Sequence, residues 1–131
     1  MRSLAPFVVA LVLTVLPAGC GSDAPSDAAP ADVPGEEVAR GLCDALGAAA
    51  DAETAEEDFA RVHTDLHVVA RAVEEVDRKA AAALLTAKQK VEDDLHRRAP
   101  ESELAPDLRR LIDATAAGLR RLDVTVAPCD R

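Results

Sequence analysis

From Gly35 onward the chain places apolar side chains at helical intervals. Val38, Leu42, Ala45, Leu46 and Ala49 follow i, i+4, i+7 spacing and lay one apolar stripe along a first helix. Asp51-Ala52-Glu53 interrupts it. Thr54-Ala55-Glu56-Glu57 then matches a capping box, in which the Thr hydroxyl and a Glu carboxylate satisfy free amides of the first turn. A second stripe runs Phe59, Val62, Leu66, Val69, Val73, Val76, Ala80, Leu84, Ala87, Val91 and Leu95 in alternating steps of three and four. No Gly or Pro occurs between Thr54 and Ala99, and Pro100 stops the pattern. A last helix is predicted after Ser102, with Pro106 tolerated in its first turn and Leu104, Leu108, Leu111, Thr115, Leu119 and Leu122 facing inward. Val124-Thr125-Val126-Ala127-Pro128 runs extended to Cys129.

These elements specify an all-α fold, a small antiparallel helical bundle over residues 35–131. The helix count turns on the second stripe. A continuous helix over 55–98 gives three helices; a break near Asp77, with that residue capping the second half, gives four. Local periodicity favours continuity. Compactness favours the break, because an uninterrupted rod leaves each half covered by only one neighbour.

The first 34 residues follow a different pattern. Met1-Arg2-Ser3 is a short positive start, and Leu4 to Leu16 carries no charge. As a helix that stretch reaches about 20 Å, short of the roughly 30 Å hydrocarbon core, so it reads as the apolar part of a secretory signal. Residues 21–34 hold three Pro and three Asp with almost no apolar bulk, the composition of a disordered tether.

Between them stands Leu16-Pro17-Ala18-Gly19-Cys20, which resembles the lipobox of bacterial lipoproteins. The resemblance covers residues 1–20. It implies that residues 1–19 are a removable leader and that the Cys20 thiol carries a diacylglyceryl group of palmitate-class chains. It also implies that the mature chain is anchored on the extracytoplasmic face of the cell membrane. Two or more acyl chains give stable anchoring, since each buried methylene contributes about 0.8 kcal/mol. Setting Cys20 aside leaves Cys43 and Cys129, which in an exported protein pair as a disulfide. In the chain-entropy model the closed loop stabilises the fold by about 4.5 kcal/mol.

Charge and composition narrow the functional classes. With 24 acidic against 15 basic side chains, a net charge of −9, no Trp or Tyr and two Phe, the chain lacks both the basic footprint and the stacking platform that nucleic acids need. No nucleophile elbow and no phosphate-binding glycine loop occurs, and Cys pairing leaves no thiol for attack, so an enzyme is not expected. The acidic run Asp51, Glu53, Glu56, Glu57, Asp58 lacks the EF-hand glycine turn for Ca²⁺ and fits a helix N-terminus instead. Arg109-Arg110 and Arg120-Arg121 share a helix face suited to salt bridges or to an acidic partner.

His63 and His67 are the sharpest local feature. Their spacing of four puts both imidazoles on one helix face, as in ligands for Zn²⁺ or Cu²⁺. A third ligand must come from elsewhere, and His96 is the candidate. A continuous rod puts it about 44 Å from His67, whereas a turn near Asp77 brings it alongside residues 58–60. The leading expectation is a non-catalytic, lipid-anchored domain that acts through an unknown protein partner; the alternative is extracytoplasmic metal binding through these histidines.

Overall fold

In the computed structural model, which describes residues 32–130, the second stripe breaks where compactness requires it. The leader, Cys20 and most of the tether lie outside the described residues. The helices are α1 (Gly35–Gly47), α2 (Ala52–Val76), α3 (Arg78–His96) and α4 (Glu101–Arg121). Asp77 alone separates α2 from α3, with extended backbone at φ −152° and ψ 91°. Its amide donates to the Val73 carbonyl at 2.7 Å, closing α2. Its Oδ1 accepts from the Ala80 amide at 2.9 Å, opening α3. Its Oδ2 pairs with Arg121 Nε at 3.1 Å, which ties the hinge to the end of α4.

Two helix starts differ from the sequence expectation. The cap of α2 is Asp51, not Thr54: its carboxylate accepts from the Glu53 and Thr54 amides, and Thr54 Oγ1 donates to it at 3.0 Å. An Asp three residues upstream offers the same capping chemistry and adds a full negative charge to the positive helix end, so the helix begins there. α4 begins at Glu101, behind Pro100, so Pro106 is its sixth residue and lies beyond the first turn. Leu122 is half-buried rather than inside; of the residues read as tether, Val33 already packs against the core and Pro34 stands at the N-cap of α1.

Helices α3 and α4 both end without glycine. Arg98 (φ 52°) and Asp123 (φ 59°) adopt the left-handed conformation. The amides of Ala99 and Val124 then reach back to the carbonyls of Asp94 and Leu119 at 2.8 and 2.9 Å, the 6→1 bond of a Schellman motif.

Neighbouring helices pack in chain order and α1 closes the ring on α4. Across the diagonals the arrangement is asymmetric: α2 touches α4, whereas α1 and α3 do not meet. Glycine permits the close approaches. A Cβ at Gly118 would stand 3.1 Å from Cγ2 of Val73, between α4 and α2. One at Gly41 would overlap the Cγ1 of Val62, between α1 and α2. Leu42, Leu66, Leu84, Leu104, Leu108, Leu111 and Leu119 fill the interior, each fully buried. Thr115 joins them by donating its hydroxyl to the Leu111 carbonyl at 2.7 Å.

Gly41 faces Val62 in an antiparallel pair, so the start of α1 is level with about residue 68 of α2. The last two turns of α2 extend past it. Val76, part of the apolar stripe, is therefore 60% exposed.

Candidate functional site

The α2–α3 face carries the side chains whose chemistry the sequence singled out. Phe59, His63 and His67 stand at successive turns of α2. Ring centroids are 6.1 Å apart for Phe59 and His63 and 5.0 Å for the two histidines, each pair edge to face. Opposite them, α3 brings Lys88 and Glu92, one turn apart. His63 Nε2 lies 2.7 Å from Glu92 Oε1, and Lys88 Nζ donates to the same oxygen at 2.6 Å. The Lys88 side chain is only 5% exposed, against 17% for Glu92 and 41% for His63. A buried ammonium thus meets a nearly buried carboxylate, and a half-exposed imidazole completes the acceptor's shell.

The electrostatics follow from those contacts. Burial alone would raise the Glu92 carboxyl, but hydrogen bonds from Lys88 and His63 together with their charge hold it below the usual carboxylate range. Burial lowers His67 first, and the nearby Lys88 and His63 charges lower it further.

The metal expectation rested on His63, His67 and His96. His63 spends its Nε2 on Glu92, whose acceptor oxygen already neutralises an ammonium. His96 is exposed at the last residue of α3, one turn past Glu92, and so about 12 Å from His67 along the bundle axis. Among the described residues no group of three or more His, Cys, Asp or Glu is arranged to hold a metal ion. The hairpin does carry His96 to the Phe59 level, but the three imidazoles do not converge.

A second ionic cluster clasps α3 to α4. Asp94, whose side chain is fully buried, accepts at Oδ1 from Lys90 at 2.6 Å and Arg97 at 2.8 Å. Lys90 bridges to Asp107 Oδ2 at 3.0 Å, Arg110 pairs with Asp107, and Arg97 with Glu103. Asp94 Oδ2 is buried without a hydrogen-bond partner. Burial would raise this carboxyl, but the hydrogen bonds from Lys90 and Arg97 carry it below its usual value.

The third feature is covalent. Cys43 and Cys129 are joined, with Cα atoms 5.3 Å apart and a sequence separation of 86. From the end of α4 the chain doubles back along α1 to reach Cys43. Beside it lies an open cleft of about 940 Å³ between α1 and α4, lined by Ala39, Leu42, Leu46, Ile112, Ala116 and Val126 among others.

The lowered groups all act in the same direction on acid stability. A carboxyl held low in the folded state stabilises fully above its unfolded value and loses that contribution as pH falls through the folded value. Glu92, Asp94 and the Asp51 cap are all of this kind. His67, favoured neutral in the fold, also opposes protonation, so stability declines first below its ordinary value of 6.5. Melting temperature is therefore expected to fall slightly between pH 7 and 5 and steeply below about pH 4.5. Asp94→Asn should flatten the steep limb; an unchanged limb would remove that carboxylate from the account.

No family model, curated protein or solved structure matches the chain.

Proposed function

We propose that the protein is a non-catalytic helical domain, held by acyl chains on Cys20 to the extracytoplasmic face of the cell membrane and acting there through protein contacts. The observation that carries the compartment is the Cys43–Cys129 bridge, because disulfides persist in oxidising surroundings. The lipobox resemblance of residues 16–20 supplies the anchor. No helix among the described residues is long and apolar enough to cross a membrane.

The topology gives the anchored domain an orientation. Gly35 sits against Leu119 and Val124, so the chain enters the bundle at the end that holds the Asp77 hinge. In this reading that end faces the bilayer, and the α1–α2 and α3–α4 connections point away from it. Charge distinguishes the sides. Residues 32–76 hold twelve acidic and three basic side chains, whereas residues 77–130 hold ten of each. The α1–α2 side is then the one suited to a basic partner surface, through complementarity that sets encounter rate and specificity.

The test is the location of the protein. Cys20→Ala is expected to move the exported chain from the membrane fraction to the soluble one. Retention of the variant on membranes after a carbonate wash would overturn the anchor.

A further inference from the structure

The segment after α4 is attached to the bundle in an unusual way. Asp123 and Val124 belong to the helix-ending motif, since their amides return to the Arg120 and Leu119 carbonyls at 3.1 and 2.9 Å. Beyond them, among the described residues, no hydrogen bond and no ion pair joins residues 125–130 to the helices. Thr125, Ala127, Pro128 and Asp130 are exposed, and Val126 is half-buried against the core cluster. One specific link therefore holds the whole stretch: the bond from Cys129 to Cys43.

That link is open to attack from solvent. Cys43 and Cys129 are half-buried, not enclosed, and both line the α1–α4 cleft as well as a second open cleft of about 490 Å³ on the other side of the segment. Every fully buried side chain of the core lies between Val38 and Leu119.

We infer that residues 125–130 form a redox-releasable strap, freed from the α1–α4 cleft when an external dithiol reduces Cys43–Cys129, while the four helices stay packed. The exchange balances as two displacements. A thiolate of the dithiol attacks one sulfur and forms a mixed disulfide, releasing the other cysteine as a thiolate that takes up a proton. The second thiolate of the reductant then attacks the mixed disulfide, closing the reductant's own disulfide and releasing the second cysteine. Two electrons pass from reductant to protein. Release bares the α1–α4 cleft floor, including Ala39, Leu46 and Ile112, that the strap flanks.

The experiment uses the mature chain with its bridge intact, dithiothreitol as the reductant, and ¹⁵N relaxation with far-ultraviolet circular dichroism as readouts. Order parameters of Thr125, Val126, Ala127 and Cys129 are expected to drop from about 0.85 to below 0.6 on reduction, with those of α1–α4 and the helical signal unchanged. A Cys43→Ala/Cys129→Ala variant, made without reductant, should show the same mobile segment. Two outcomes overturn the inference. A strap that stays ordered without the bridge shows that Val126 packing suffices. A collapse of the helical signal at 25 °C in both the reduced chain and the double variant shows that the bond holds the fold itself.

Discussion

Gly41→Ala is expected to destabilise the domain by about 1–3 kcal/mol, against the usual benefit of alanine in a helix. Alanine gains about 1 kcal/mol over glycine in helix propensity. At this position the added methyl would overlap the Cγ1 of Val62, which is 5% exposed and β-branched. Its χ1 is stiff, so α1 must move away from α2. The separation uncovers Leu42 and Ala45, and the packing loss exceeds the propensity gain. For a domain of this size the melting temperature should drop by roughly 5–20 °C. Two other helical glycines grade the effect. At Gly118 the nearest atom stands at 3.1 Å, a contact that a small shift of Val73 relieves, so the loss there should be smaller. At Gly47 a Cβ meets nothing within 4 Å, so alanine is expected to be neutral or to stabilise by up to about 1 kcal/mol. Adding Val62→Ala to Gly41→Ala should recover part of the loss. Equal melting temperatures for the Gly41 and Gly47 variants would mean that the α1–α2 approach is looser than described.

Removing Glu92 should have an effect of similar size for an electrostatic reason. Lys88 is buried, and Glu92 is the anion that pairs with it. Breaking a buried pair from one side costs about 3–5 kcal/mol, because it strands a charge. The Glu92 site keeps some access to water, and the Lys88 stem can lean outward, so Glu92→Ala should fall at or just below the lower limit, about 2–3 kcal/mol. Replacing both partners, as Lys88→Met/Glu92→Leu, removes the stranded charge and should restore most of the stability. Denaturant titration of the single and double variants separates the two explanations. If the double variant is as weak as the single one, shape and not charge accounts for the loss.

The helices were legible because their stripes are regular, and Asp77 was legible as a cap inside one of them. Local spacing pointed to Thr54, whose capping box is complete, and read Asp51 only as an interruption, although its carboxylate offers the same oxygen to free amides. The helix ends at Arg98 and Asp123 lack the glycine that usually announces a left-handed cap. Glu92 escaped notice as the partner of His63 because 29 residues separate them. A signal existed: Lys88 falls four residues after Leu84 and three before Val91, inside the apolar stripe, where an ammonium needs a buried anion. Asp94, three residues after Val91, carried the same message for the α3–α4 clasp. The histidine pair was visible as a motif, but its use depended on what α3 set against it.

The bridge from α1 to the strap also governs how the chain bears tension. A pull applied between the residues ahead of Gly35 and the stretch beyond Cys129 runs straight through the sulfur bond and bypasses α2, α3 and α4. Only residues 35–42 can peel away, lengthening to about 28 Å before the covalent shortcut becomes taut.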